Sequence, residues 1–377
     1  MRVLLRRRLV LVGWLSIVVF AAFLSAPSSA AAEPPAPAND TSSVNTPLVI
    51  DSGGVPPPVH LQSEAAAEWP IGLRPTNGPG TYDVVVAGVT TALGAPPATS
   101  ANSAATITGA DALWNTSVAG RYRLDYRTYV STTVSGTTCD LEVLTNAVNS
   151  AVSTATEDGT PRPGRVGLIV VISFADDDAC SSGLGWVGAS GLYVNGYWGA
   201  GVGVEITAHE AGHNFRLGHS GGLGCTPDPL QYPAAQSPSW PCKADSSNEY
   251  LDLEAMMGAS GLGLRPLRIP ASQLQVLGIL DPATAVVEVG SGVGVYDLVP
   301  PLSGATGPQT LRLDVPGTVT GGSGVPSGAT VTVEYRTTTA SAGGPRVFLD
   351  VAGTANPEYA PWGADTWAYR GNSANNT

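Results

Sequence analysis

Apolar and polar positions divide the chain into stretches of different periodicity. From Thr81 onward, Tyr82-Asp-Val-Val-Val-Ala-Gly-Val89 is a β-branched run that reads as a buried strand. Ala101–Ser117 carries helical spacing, Tyr122–Val130 alternates like a strand, and Asp140–Ala155 reads as a second helix. Arg165–Ser173 has the continuous apolar character of a central strand, and Gly191–Trp198 places aromatics between glycines. A further helix is predicted to begin near Val204. Strands alternating with helices make residues 81–285 a mixed α/β (α+β) domain. Beyond 285 the period changes: Val286–Tyr296, Thr310–Val315, Thr330–Arg336 and Arg346–Val351 are short strand-like runs between Gly/Pro/Ser turns. That pattern predicts a small all-β, sandwich-like C-terminal domain over 286–377.

The first 80 residues are different in kind. Arg2 and Arg6–Arg8, an apolar run from Leu9 to Leu24 and the small residues Ser28–Ala32 predict a cleaved export signal over 1–32. The run is short for a membrane span, so no stable membrane association is expected after cleavage. Residues 33–80, rich in Pro, Ala, Ser and Gly without sustained periodicity, read as a propeptide or linker. A secreted, extracellular, monomeric protein is therefore expected. Its four cysteines, Cys139, Cys180, Cys225 and Cys242, fit two disulfides in that compartment. Three pairings are possible, and Cys139–Cys180 with Cys225–Cys242 is favoured.

At 377 residues, with 43% hydrophobic and 13% charged content, the chain can bury a sizeable core. The formal net charge of −12 argues against nucleic acid as a partner. Asp176, Asp177 and Asp178 form an acidic run that could chelate calcium or simply be solvated.

Of four histidines, three fall in the segment His209-Glu-Ala-Gly-His213-Asn-Phe-Arg-Leu-Gly-His219. On a helix, His209 and His213 stand at i and i+4 and can meet one zinc ion. Glu210 lies about 100° around the helix from His209, within reach of a metal-bound water without being a ligand. His219 can close the site only if the helix stops soon after His213 and the chain turns back, for which Gly218 is suited. Three protein ligands leave one coordination position open, as catalytic rather than structural zinc sites do. His60, in a Pro-rich stretch, receives no role.

A second motif follows in Tyr250-Leu-Asp252-Leu-Glu-Ala-Met256-Met257-Gly258, which holds two of the chain's three methionines. With the three-histidine motif, it resembles the metzincin pattern, in which a methionine turn lies beneath the zinc site. Tyr-x-Asp before Met-Gly, and Ile269-Pro-Ala-Ser-Gln273-Leu-Gln-Val-Leu-Gly278, are similar to the gametolysin-like secreted metallopeptidases. The resemblance spans about residues 80–285. It implies a metzincin-like catalytic domain with a twisted mixed sheet and an active-site helix, zinc on His209, His213 and His219, and Met257 as the turn methionine. It also implies an antiparallel edge strand nearest the active-site helix that takes an extended peptide, a role assigned to Gly191–Trp198. Two positions depart from the pattern: Arg216 stands where the consensus has glycine, and Ala259 where some members carry a metal-contacting tyrosine.

These readings converge on a secreted zinc-dependent endopeptidase acting on protein or peptide substrates, with Glu210 as general base toward a zinc-bound water. Two alternatives stand beside it. One is a catalytically silent surface-binding module; the other is a zinc amide hydrolase acting on cell-wall peptides.

Overall fold

Parallel pairing of β-branched strands builds the sheet on which the rest of the molecule is laid. The computed structural model describes residues 70–225, 242–243, 255–258, 268–289, 296–304, 306–314, 329–336, 344–351 and 365–369. The expected signal segment, His60 and most of the expected linker lie outside these residues. Two compact units divide the chain, Met1–Pro47 with Gly290–Asp297 and Leu48–Val289 with Leu298–Thr377. The helices and strands named below all belong to the second.

In chain order its first elements are β1 (Gly80–Thr90), α1 (Ser103–Ser117), β2 (Tyr122–Thr133), α2 (Leu141–Thr156), β3 (Gly167–Phe174), β4 (Gly183–Gly185), β5 (Gly191–Asn195) and α3 (Val202–Asn214). The strands form one five-stranded sheet in the order β2-β1-β3-β5-β4. All pairs are parallel except β4–β5, so the sheet is mixed. Tyr82, Val84 and Val86 of β1, with Ile169 and Val171 of β3, face a core shared with α1 and α3. Val85, Ala87, Val89, Val170 and Ile172 face the opposite core, against Leu144, Val148 and Val152 of α2. Burial on both faces explains why β1 and β3 read as continuous apolar runs rather than alternating ones.

The helices start where local chemistry allows. Asp140 accepts hydrogen bonds from the N–H groups of Glu142 and Val143, at 2.9 and 3.2 Å, and so caps α2. Next to it, Cys139 is joined to Cys180 across a Cα–Cα distance of 5.3 Å, the pairing favoured from sequence. The folded domain also begins earlier than the periodicity suggests. Ile71 is buried, its N–H donates to Asn149 Oδ1 at 2.9 Å, and Ser190 Oγ donates to its carbonyl at 2.6 Å. Residues 70–79, read as linker, are thus fastened to α2 and to the start of β5 by contacts distant in sequence.

After α3 come β6 (Ser220–Cys225), β7 (Cys242–Lys243), α4 (Ala271–Val276), α5 (Pro282–Ala285), β8 (Val286–Glu288), β9 (Thr310–Asp314), β10 (Ala329–Arg336), β11 (Gly344–Val351) and β12 (Asp365–Tyr369). Among the described residues, the C-terminal strands lie in one seven-stranded sheet, β7-β6-β12-β11-β10-β9-β8. The last of them, β12, pairs in parallel with β6, so Thr366 stands beside Ser220. The C-terminal region therefore continues the strand that leaves His219, where the sequence pattern suggested a separate sandwich. In the β6–β7 ladder Cys225 stands opposite Cys242.

Asp83 supplies the main polar fixture of the five-stranded sheet. It is fully buried, accepts from the Arg162 backbone N–H at 2.7 Å and Nε at 2.8 Å, and pairs with Arg127 at 3.3 Å. Burial acts to raise its carboxyl pKa, but the hydrogen bonds and charge of Arg162 win and hold it below the usual range. Asp83→Asn should cost roughly 2–3 kcal/mol, below the full value for a buried pair because the Arg162 side chain remains 40% exposed. Because the folded-state pKa is depressed, the stability Asp83 contributes is present above its unfolded value and is lost as pH falls through the folded one. Chemical denaturation of both proteins across pH 2–7, a range spanning the ordinary carboxyl pKa of about 4, should show the gap closing toward the acid end.

Candidate metal centre

Helix α3 is buried around most of its circumference, with Ile206 through Asn214 all inaccessible. A helix buried all round belongs to the core rather than the surface. One side packs on α1, where Trp114 Nε1 donates to the Ala208 carbonyl at 3.0 Å. Another side meets β4. A Cβ on Gly183 would come within 2.6 Å of Glu210 Oε1, and one on Gly185 would run into the Glu210 carbonyl oxygen. Only glycine at these two places lets the strand lie this close to the helix.

The helix ends where the third histidine requires it to. Arg216 N–H donates to the His213 carbonyl at 2.8 Å and Leu217 N–H to the Gly212 carbonyl at 3.0 Å. That pair of bonds, with a left-handed residue between helix and exit, is a Schellman turn. The left-handed residue is Arg216, at φ 75°. Arginine thus occupies, with the same backbone sign, the position that would suit glycine, and its Nη2 donates to the Thr76 carbonyl at 3.3 Å.

The turn carries His219 back toward the helix. The candidate ligand atoms of His209, His213 and His219 all lie within 4.8 Å of one another, and all three residues are buried. Among the described residues this is the one such grouping; Asp176, Asp177 and Asp178 do not form another. Asp177 instead accepts from the Ala179 N–H at 3.0 Å, while its own N–H donates to Asn195 Oδ1 at 2.9 Å.

Each helical imidazole is oriented through its other nitrogen. His209 Nδ1 lies 2.9 Å from the Met256 carbonyl, and His213 Nδ1 lies 2.8 Å from the Leu217 carbonyl. A carbonyl can only accept, so Nδ1 carries the proton in both rings and the lone pair resides on Nε2. Burial, reinforced by His219, pushes His209 down to about 3 against the Met256 bond, and burial with both neighbouring histidines pushes His213 well below its ordinary value. Both rings are therefore neutral near pH 7, as metal ligation requires. Three imidazoles form a donor set suited to a divalent ion such as zinc, copper, nickel or iron.

The methionine motif lies against the same helix. Gly258 N–H donates to the Ala255 carbonyl at 3.1 Å, closing a tight turn around Met256 and Met257. Both methionines are fully buried. Met257 Sδ rests on Gly212, between the two helical histidines, so closely that a Cβ there would overlap it. Met256 contributes its carbonyl to His209, and the Met257 carbonyl accepts from the Ser220 N–H at 2.6 Å. Tyr250, Asp252 and Ala259 lie outside the described residues.

Glu210 is 2% exposed, and its Oε2 stands 4.0 Å from His213 Nε2. The four residues expected at the site, His209, Glu210, His213 and His219, are thus brought together. The strand expected to receive peptide is placed differently. β5 is paired on both sides, parallel to β3 and antiparallel to β4, so Gly191–Asn195 is interior and has no edge to offer. The edge is β4, Gly183-Leu184-Gly185, beside Glu210. Sequence reading passed over it because three residues are too few for a period, although alternating glycines were a signal of close backbone approach. Asn214 was also missed; its Nδ2 donates to the carbonyls of Trp186 and Gly191, at 3.1 and 2.9 Å, and so ties the β4–β5 turn to the helix end.

No family model matches the chain, and no curated protein matches it. The geometry of the site therefore carries the functional reading.

The turn at Arg216 makes a discriminating test. Arg216→Gly removes a left-handed cost of about 1–2 kcal/mol but also the bond to Thr76, worth about 1 kcal/mol, so its stability should stay within about 1 kcal/mol of the parent. Arg216→Ala keeps the strain and loses the bond, and should be the less stable of the two. Thermal melts of the metal-free proteins would rank them, and the reverse order would contradict the turn geometry.

Proposed function

We propose that the protein is a secreted zinc-dependent endopeptidase of the metzincin type. The observation that carries the reading is the buried carboxylate of Glu210 beside, but not part of, the three-imidazole cluster. A module that only bound a surface would have no use for a base in that position. The Cys139–Cys180 disulfide supports an oxidising compartment, and among the described residues no helix is long and apolar enough to cross a membrane.

His209, His213 and His219 would hold the ion, with Nε2 of the two helical rings directed to it by the Met256 and Leu217 carbonyls. Bound zinc supplies Lewis acidity toward the scissile carbonyl oxygen and toward water. Glu210 takes a proton from the attacking water and delivers it to the leaving nitrogen, a role its burial favours by excluding competing solvent.

The edge strand orients the substrate. Asn195 N–H donates to the Ser182 carbonyl and Trp186 N–H to the Gly191 carbonyl, so even-numbered positions of the β4 segment face β5. In an antiparallel ladder the intervening residues then direct N–H and C=O the other way. Gly183 and Gly185 therefore offer main-chain groups to an extended peptide on the outer side of β4. A protein or peptide substrate aligned there runs past Glu210. The acidic net charge argues against nucleic acid as a partner.

Incubating purified protein with a peptide library, with and without a chelator, tests the reading directly; chelator-sensitive cleavage is the expected result. Glu210→Ala should keep its zinc while losing about two or more decades of kcat, the usual contribution of a positioned general base. Unchanged turnover would remove Glu210 from the chemistry, and loss of zinc would make it a ligand.

Gly185→Ala separates strand from base. The added methyl must push β4 away from the Glu210 backbone, so peptide cleavage should fall at least tenfold, while zinc affinity, which depends on His209, His213 and His219, stays near the parent value. Proline substitutions within Gly191–Asn195 should instead unfold the domain, because every position there is paired within the sheet.

A further inference from the structure

Gln273 is almost fully buried, on a short helix well beyond His219 in the chain, and nothing in the chemistry above uses it. Its Nε2 donates to the Gly218 carbonyl at 2.9 Å, and its Oε1 accepts from Ser220 Oγ at 3.4 Å. One amide side chain therefore grips the backbone immediately before His219 and the side chain immediately after it. His209 and His213 stand on the helix with carbonyl partners, and His219 stands on the chain leaving the turn, between the two residues that Gln273 bonds.

The helix that carries Gln273 is itself held from the C-terminal sheet. The carboxylate of Glu334, on β10 and 1% exposed, accepts from the Ala271 N–H at 2.6 Å at the first residue of α4. Its other oxygen pairs with the buried guanidinium of Arg336. Glu334 thus fixes the start of α4, and Gln273, two residues on, transmits that placement to Gly218 and Ser220. A second connection reaches the same segment, because β12 pairs with β6 from Ser220 onward.

We propose that Gln273 is a positioning residue for His219, and that through the Glu334–Ala271 bond the C-terminal sheet sets how tightly the three-histidine site holds its metal. The proposal rests on the metal-site reading. Residues that orient a ligand without touching the ion commonly change affinity by about 10–100-fold. Here the effect is confined to the third ligand, so it must vanish when that ligand is gone.

Full-length protein would be titrated with zinc against a competing chelator, and with cobalt(II) followed by its visible spectrum, for the parent, Gln273→Leu, Glu334→Ala, His219→Ala and the pairwise combinations. Gln273→Leu should weaken zinc about tenfold or more and alter the cobalt spectrum, yet leave zinc affinity unchanged in the His219→Ala background. Glu334→Ala should act in the same direction and add less than its full effect to Gln273→Leu. If Gln273→Leu fails to fold, Gln273→Glu keeps the size and the Ser220 bond, loses the donor to Gly218, and should weaken zinc likewise. Parental affinity in the Gln273 variant, or an equal loss without His219, would overturn the proposal while leaving the metal site standing. Fully additive effects of Gln273 and Glu334 would overturn the link to the sheet. A parent protein that binds neither ion would overturn the metal-site reading and the proposal together.

Discussion

The reversal of the chain at the end of α3 is the constraint on which the rest of the site depends. Six residues of continued helix would carry His219 about 240° around the axis from His213, away from the other two imidazoles. Termination at Phe215, with Arg216 left-handed, instead returns the chain and satisfies the carbonyls of Gly212 and His213 as it does so. The same turn presents the Leu217 carbonyl to His213 Nδ1. One local conformation therefore both recruits the third imidazole and orients the second.

That turn would be ineffective on a loosely held helix. α3 is clamped between α1, β4 and the methionine turn, and glycine is what lets two of those neighbours approach. Gly183 and Gly185 admit β4 to the Glu210 side, and Gly212 admits the Met257 side chain against the helix. Burial of this kind has an electrostatic consequence, because a protonated imidazole is poorly tolerated in a dry interior. The helical histidines are kept neutral by the same packing that holds them in place. Structure and ligand chemistry thus share one cause.

The two sheets play different parts in this arrangement. The five-stranded sheet places the edge strand and the helix, and one of its cores joins the alternating α/β elements to Met256, Met257, Ile269, Leu274 and Leu277 from later in the chain. The seven-stranded sheet begins at the residue after His219 and returns to it through β12. Its Glu334–Arg336 pair is buried and is used to anchor a helix end, a place where a charge-assisted bond to an orphan N–H is favourable. What would otherwise be an appended β region is paired through β12 with the strand that follows the third histidine.

The sequence by itself placed, to within a few residues, the strands found at 80–90 and 167–174 and the helices at 103–117, 141–156 and 202–214, and it grouped His209, Glu210, His213 and His219. It could do so because each depends on periodicity or spacing within a few turns of chain, where side-chain direction follows from local geometry. An even cysteine count and an export-like leader made disulfides legible but left three pairings possible, of which the favoured one included the observed Cys139–Cys180 bridge. Only the tertiary structure decided that β4 rather than β5 is the edge, because pairing on both sides of a strand is a property of the sheet and three residues carry no period. It also decided that residues 70–79 belong to the domain, that Gln273 reaches Gly218 beside His219, and that Glu334 reaches Ala271 at the start of the helix carrying Gln273, across separations of 55 and 63 residues. An isolated glutamine or glutamate in a chain announces no partner. Its partner is chosen when distant elements pack, and no local pattern encodes that choice.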